Sequence, residues 1–168
     1  MTKFIKDKIF FDQKQTPYDY IFQGRGPGYS FVLSSNSAKN FQEYLNKLPE
    51  ESVGKVWFHD WFVYAFFRFN NLSWFLDNES HILFRQHDTN VLGAHKGIKT
   101  SFNRFISISS KEYRKQVIFL SKIIGYKVLL PLKKINILNY CLILSSFKAR
   151  RKPIQTFILF ISSLIRVF

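Results

Sequence analysis

The sequence is poor in cysteine, methionine and glycine, with one Cys, one Met and seven Gly among 168 residues. A single cysteine, Cys141, excludes an intramolecular disulfide and a metal site built on a Cys-x-x-Cys motif. It is typical of a protein in a reducing, cytoplasmic compartment. Residues 1–15 also lack a secretory signal, because they are too charged and their apolar run is too short.

Acidic residues are almost missing from the second part of the chain. Residues 1–95 hold 10 Lys and Arg against 10 Asp and Glu, whereas residues 96–168 hold 15 Lys and Arg and one acid, Glu112. The whole net charge of +14 therefore lies in residues 96–168. A neutral part joined to a basic part predicts a polyanionic surface as partner, either anionic lipid or nucleic acid.

Long hydrophobic runs are missing as well. The apolar stretches 135–147 and 154–168 have 13 and 15 residues, whereas a helix that crosses a bilayer needs about 20. The block Lys148-Ala149-Arg150-Arg151-Lys152 between them favours helices lying in the plane of a membrane interface. We therefore predict that residues 96–168 form a basic helical tail at an anionic membrane surface, with no nucleic-acid partner.

Aromatic residues are abundant, with 20 Phe, 8 Tyr and 3 Trp, and the apolar fraction of 46% suffices for the core of one domain. Apolar residues at helical spacing predict three helices, over 38–48, 59–69 and 101–124. The first has candidate N-caps at Ser34, Ser35 and Asn36. Short aromatic and β-branched runs predict three strands, over 29–34, 73–77 and 81–85. Residues 1–20 have no clean period, which predicts an ordered loop or an edge strand without a catalytic role.

The first motif with possible chemistry is glycine-rich, Gln23-Gly24-Arg25-Gly26-Pro27-Gly28. Glycines let the backbone take positive φ and approach a ligand closely. The motif precedes a predicted strand, whereas the dinucleotide-binding fingerprint follows one. By its pattern alone, a plain turn is the simpler interpretation.

The second motif is His59-Asp60-Trp61, at the predicted start of a helix. There the helix dipole and the free N–H groups favour an ionised carboxylate. Such a carboxylate in a cleft can take the proton from a sugar hydroxyl as that hydroxyl attacks. Without further context, a capping residue explains Asp60 equally simply.

The third motif, Arg85-Gln86-His87, follows a predicted strand and precedes Asn90. Arg85 and Gln86 can contact phosphate oxygens, Arg by its bidentate fork, although a solvent-exposed arginine at a strand end is equally ordinary. His87 can complete the shell of a Mg²⁺ or Mn²⁺ held mainly by phosphates and carboxylates. A histidine that is only hydrogen-bonded is the alternative.

In this order, the three motifs resemble the second half of bacterial family 2 glycosyltransferases, particularly the rhamnosyltransferase-like enzymes of O-antigen and capsule synthesis. The family pattern is a glycine-proline-glycine strand entry, then HDWW, then YRQHxxNxxG. Phe62 here replaces the second Trp and Phe84 the Tyr. The resemblance covers residues 22–94.

The resemblance implies an α/β fold, in which residues 1–95 are the C-terminal, acceptor-side half of a GT-A domain and 96–168 the basic tail. It implies that Asp60 is the general base of an inverting sugar transfer and that His87 contacts a metal or a diphosphate. Seven residues are expected to bind acceptor or substrate: Gly26, Gly28, His59, Trp61, Arg85, Gln86 and Asn90.

The resemblance also implies the partners: a nucleotide-sugar donor, a lipid-linked glycan acceptor, Mg²⁺ or Mn²⁺, and the cytoplasmic face of the cell membrane. Rhamnose is a candidate sugar. The family's nucleotide-sugar motif and Asp-x-Asp metal site are missing, since Asp7, Asp12 and Asp19 do not form that pattern. We therefore expect activity and metal binding to depend on a complementary N-terminal half. The alternative is a membrane-associated accessory protein that keeps only the acceptor-side half.

Overall fold

The computed structural model describes residues 3–4, 14–77, 79, 85–86, 110–126 and 148–164. These residues are mainly helical. The helices are α1 (Asp19–Phe22), α2 (Ser35–Asn46), α3 (Glu50–Gly54), α4 (His59–Phe69), α5 (Lys111–Ile123) and α6 (Pro153–Leu164). A 3₁₀ turn spans Gly28–Ser30, and two short strands, β1 (Lys3–Phe4) and β2 (Arg85–Gln86), pair antiparallel.

The two helices predicted in the first half of the chain are confirmed. Helix α2 begins after Ser34, whose side chain accepts the Ser37 N–H, and it ends before Pro49, which disfavours helical backbone in the residue preceding it. Helix α4 has the predicted bounds 59–69. It ends where Asn71 takes a left-handed φ of 54°, a conformation that Asn tolerates better than most residues.

Helices α5 and α6 agree with the apolar patterns of the second half. Helix α5 lies within the predicted range 101–124 and is capped by Ser110, whose side chain accepts the Tyr113 N–H at 3.1 Å. Its end is a left-handed Gly125 with φ 79°, after which the Tyr126 N–H donates to the Ser121 carbonyl at 2.8 Å. Helix α6 starts with Pro153, a residue suited to the first helical position.

The core surrounds α4. Its buried residues Trp61, Phe62, Tyr64, Ala65, Phe66 and Phe67 point to more than one side of the helix, which is typical of a helix covered almost all round. Trp61 stacks on Tyr113 of α5, with ring centroids 5.8 Å apart. From α2, Phe41 and Tyr44 pack against Phe62 and Phe66. Each fully buried aromatic contributes about 1.5–3 kcal/mol through removal from water.

The second half of the chain shares this core. One buried cluster joins α1 and α4 with α5, with Ala149 in the segment before α6, and with Leu159 in α6. The predicted division at residue 95 stays a prediction, because residues 87–109 lie outside the described part, as does the apolar stretch 135–147. No helix in the described part is long and apolar enough to cross a membrane.

The strands predicted over 29–34 and 73–77 are wrong. Residues 28–30 form the 3₁₀ turn, in which the Ser30 hydroxyl donates to the Pro27 carbonyl at 2.7 Å. Residues 31–34 and 72–77 run without strand pairing. Their large side chains cover α4 instead, since Phe31 packs edge-to-face on Trp74, with ring centroids 5.1 Å apart, and Trp74 packs on Tyr64.

The α/β, Rossmann-like fold is therefore not confirmed. Within the described ranges the one strand pairing joins Lys3 with Gln86 and Phe4 with Arg85. The predicted strand over 81–85 falls almost wholly outside those ranges, Arg85 excepted.

Candidate active site

The glycine-rich segment lies directly against the first turn of α4. A Cβ built on Gly24 would stand 3.3 Å from the Cα of Trp61. A Cβ on Gly28 would collide with the His59 imidazole and stand 3.3 Å from the Cβ of Asp60. Between them, Gly26 has a φ of 93°, which side-chain-bearing residues rarely adopt. The fold thus joins the first two motifs into one surface.

Asp60 lies inside the first turn of α4, not at its N-cap. The N-cap is Phe58, and its side chain makes no capping hydrogen bond. The half-buried Asp60 carboxylate accepts the N–H of Trp61 through Oδ1 at 2.7 Å. This is its only hydrogen bond within the described residues, so its second oxygen can meet a ligand. Asp60 thus satisfies one free N–H of the first helical turn, as a residue with only a structural role at the helix start would, and its catalytic role stays a prediction.

The two neighbours of Asp60 differ in burial. His59 is exposed and faces the position of Gly28, so its imidazole is accessible to a ligand. Trp61 is buried, and its indole N–H donates to the Tyr20 carbonyl at 2.9 Å. Trp61 therefore attaches the motif to the core, and its predicted contact with the acceptor stays a prediction.

The third motif is only partly described. Arg85 and Gln86 form β2, and their roles toward phosphate or acceptor stay predictions. His87 and Asn90 lie outside the described residues. Among those that are described, no three His, Cys, Asp or Glu side chains lie close enough together to hold a metal ion. The predicted contact of His87 with Mg²⁺ or Mn²⁺ stays a prediction.

A buried polar cluster beside this surface was missed from the sequence. Asp19 of α1 is fully buried, accepts the Tyr64 hydroxyl at 2.9 Å and lies 3.3 Å from Arg151 Nε and 3.8 Å from an Arg68 nitrogen. Burial, followed by the charge of Asp19, raises the pKa of Tyr64. The sequence signal was weak, because only the Tyr64 and Arg68 spacing of four residues hints at a shared partner.

The basic block before α6 is part of this interior, which corrects its prediction as a lipid-facing block. Arg150 is 6% exposed and donates to the Tyr113 hydroxyl, while Arg151 donates to the Gly24 carbonyl. Burial lowers the pKa of both arginines. Arg151 thus bridges Asp19 and the glycine-rich segment, and it fixes that segment over α4. Lys148 and Lys152 remain exposed.

The chain is similar to the dTDP-rhamnosyl transferase RfbG of Shigella flexneri, with 31% identity over 158 residues. The chain is related to the rhamnosyltransferase-like glycosyltransferases. This confirms the resemblance drawn from the three motifs and extends it to 93% of the chain. The chain spans 54% of the length of that relative. No family model and no solved structure matches the chain.

Proposed function

We propose that the chain forms the acceptor-side part of a glycosyltransferase of surface polysaccharide synthesis. It transfers a sugar, with rhamnose favoured by the name of its relative, from a nucleotide-sugar donor to a hydroxyl of a glycan acceptor. The observation that carries this proposal is the half-buried Asp60 carboxylate beside the glycine-rich segment. The similarity to a dTDP-rhamnosyl transferase supports the choice of reaction.

In the proposed reaction, Asp60 takes the proton from the acceptor hydroxyl. The acceptor oxygen bonds to the anomeric carbon of the sugar as the bond to the nucleotide diphosphate breaks, and the configuration inverts. The Trp61 N–H orients the carboxylate. Because Gly28 has no side chain, the glycine-rich segment packs directly against the His59 imidazole, next to Asp60.

The donor side of the reaction belongs to a complementary, nucleotide-binding half. This part of the proposal is supported by the fraction of the relative that the chain spans, 54%. Arg85, Gln86 and Asn90 would bind acceptor or diphosphate next to that half. The divalent cation predicted with His87 is also expected only in the assembled enzyme. Chelation of this cation by EDTA should therefore lower the rate of sugar transfer.

The test of Asp60 measures transfer from dTDP-rhamnose in an assembly of the chain with the part of its relative that the chain does not match. Asp60→Asn should lower the rate about 10²–10⁴-fold, the usual contribution of a general base. Glu43→Gln is the matched control, since it also removes one carboxylate charge from an exposed helix position and should leave transfer unchanged.

Equal rates for Asp60→Asn and the unaltered assembly would show that Asp60 is not the base. An assembly that never transfers sugar would favour an accessory protein over an enzyme.

We also propose that the enzyme works at the cytoplasmic face of the membrane on a lipid-linked acceptor. In α6, Ile154 is 69% exposed and Phe157 62% exposed, three residues apart on one face. The exposed Lys148 and Lys152 stand just before this face. Apolar residues beside cations suit an anionic lipid surface.

The membrane proposal predicts that the chain sediments with anionic liposomes and that Ile154→Asp with Phe157→Asp reduces the bound fraction severalfold, because each change puts a charge on the apolar face. Phe75→Asp, at another exposed aromatic residue, is the control. If the double α6 variant sedimented to the same extent as the unaltered chain, α6 would be excluded as the lipid contact.

A further inference from the structure

A cavity of about 460 Å³ lies at the far end of α4 from Asp60. It is bordered by Phe69 of α4, by Tyr20 of α1 and by Trp74 and Tyr126. Asp60 and Phe69 are nine residues apart in the helix, which is about 13 Å at a rise of 1.5 Å per residue. The cavity is therefore separate from the candidate base, and its volume is within the range of small-ligand sites.

The aromatic walls of the cavity are held in place by their neighbours. Tyr126 meets the rings of Tyr20 and Phe69 edge-to-face, each with centroids 6.3 Å apart. Its backbone is fixed by the left-handed Gly125 and by the hydrogen bond to the Ser121 carbonyl. Trp74 packs on Tyr64 with centroids 5.0 Å apart. The walls are thus ordered without a ligand.

The polar groups of the cavity suit a neutral ligand. Gln15 and Asn71 contribute amides, and Tyr20 and Tyr126 contribute phenols. Burial raises the pKa of Tyr20 and of Tyr126, so both phenols keep their protons as donors at neutral pH.

Arg68 is the one charged residue among the described residues that line the cavity. Its guanidinium donates to the Thr16 carbonyl at 3.2 Å and lies 3.8 Å from Asp19. Its charge is therefore paired inside the protein and is poorly available for a phosphate. This distinguishes the cavity from a nucleotide site.

We propose that this cavity binds a neutral saccharide unit of the acceptor, remote from the hydroxyl that reacts at Asp60. The choice of a glycan rests on the proposed function. Flat aromatic walls pack against the C–H faces of a sugar, while amides and phenols exchange hydrogen bonds with its hydroxyls. Binding at this distance would select acceptors longer than one sugar.

The experiment measures binding of a rhamnose trisaccharide to the full chain by calorimetry, without transfer. Tyr126→Ala removes one wall and should weaken binding about tenfold. Asn71→Gly removes an amide but keeps the left-handed backbone, and it should weaken binding about fivefold. Phe75→Ala, at an 87% exposed residue that does not line the cavity, should bind as the unaltered chain does.

Two outcomes would overturn the proposal: no binding of the trisaccharide, or equal binding by the unaltered chain and both cavity variants. If Tyr126→Ala does not fold, Asn71→Gly still tests the proposal, because it changes the cavity and keeps the left-handed backbone. Asp60→Asn should bind the trisaccharide normally. If that variant also kept full transfer in the assembled enzyme, the base assignment would fail while the saccharide site stood.

Discussion

Asp19 lies against α4 and Asp60 lies in its first turn, yet their surroundings are opposite. Asp19 is fully buried and surrounded by Tyr64, Arg68 and Arg151. Asp60 is half-buried at the helix start and, from the part of the chain that the structure describes, accepts one hydrogen bond, donated by its own neighbour Trp61. Partners inside the protein engage the first carboxylate, by a hydrogen bond and an ion pair at Oδ2 and an ion pair alone at Oδ1. The second carboxylate has capacity for a substrate.

This difference teaches that the burial of a carboxylate does not by itself indicate a catalytic role. Asp19 joins α1, α4 and the segment before α6, which are far apart in the sequence, so its role is in assembly. Through Arg151 and the Gly24 carbonyl, that assembly extends to the glycine-rich segment above Asp60. The interior cluster therefore holds the surface on which the proposed chemistry takes place.

The largest effect on stability is expected for Asp19→Asn. The substitution leaves the Arg68 and Arg151 guanidinium groups buried without their carboxylate, and breaking a buried ion pair in this way costs about 3–5 kcal/mol. Urea denaturation measures the change in the free energy of unfolding. Asp60→Asn is the comparison and should cost only about 0.3–1 kcal/mol, because it removes one negative charge from the first turn of α4. Similar losses for the two variants would remove the contrast between the two aspartates.

A second test uses pH on the same interior. Burial raises the pKa of Tyr113 to about 12, from 10 in the unfolded chain. Between these values the unfolded chain releases this proton while the folded protein keeps it, so stability is complete below pH 10 and falls as the pH rises toward 12. The expected loss is about 2–3 kcal/mol.

Tyr113→Phe should make the free energy of unfolding less dependent on pH in that window, although the variant is less stable at neutral pH because Arg150 and the Phe22 carbonyl lose a partner. Urea midpoints at pH 8, 10 and 11 give the slope. An unchanged slope in Tyr113→Phe would mean that another group causes the alkaline loss.

The smallest effect is expected on the candidate surface itself. Gly26→Ala forces a side chain onto a φ of 93° and should cost about 1–2 kcal/mol. Gly54→Ala is its control, since nothing lies within 4 Å of the added Cβ and the position is helical. The first variant should melt at a lower temperature and the second should not. Equal melting temperatures would mean that the segment adapts freely.

Local patterns predicted the helices well. The apolar spacing of α4 and the serine before α2 depend on neighbours within one or two turns, and such information is contained in the sequence. The strands over 29–34 and 73–77 failed for the opposite reason. Aromatic residues are equally suited to a strand and to an irregular segment that packs on a helix. Here the segments of Phe31 and Trp74 take the second form, and the two rings pack on each other.

The candidate site was predictable in part. The motifs identified Asp60, His59 and the glycines, but not that a side chain at position 28 would collide with the His59 imidazole. Asp19 was dismissed because it belongs to no motif. Its partners Arg68 and Arg151 are 49 and 132 positions away, and no local pattern connects positions so distant.

By itself, the sequence determined the longer helices, the placement of Asp60 in a first helical turn and the relationship to rhamnosyltransferase-like enzymes. Each depends on residues close together in the chain or on motifs in order. The short helices α1 and α3 were not predicted. Only the tertiary structure decided which charged side chains are buried and paired inside the protein. Arg150 and Arg151 looked like cations for a lipid surface, and the fold buries them, since a guanidinium is stable in the interior when hydrogen-bond acceptors and a carboxylate from distant segments surround it.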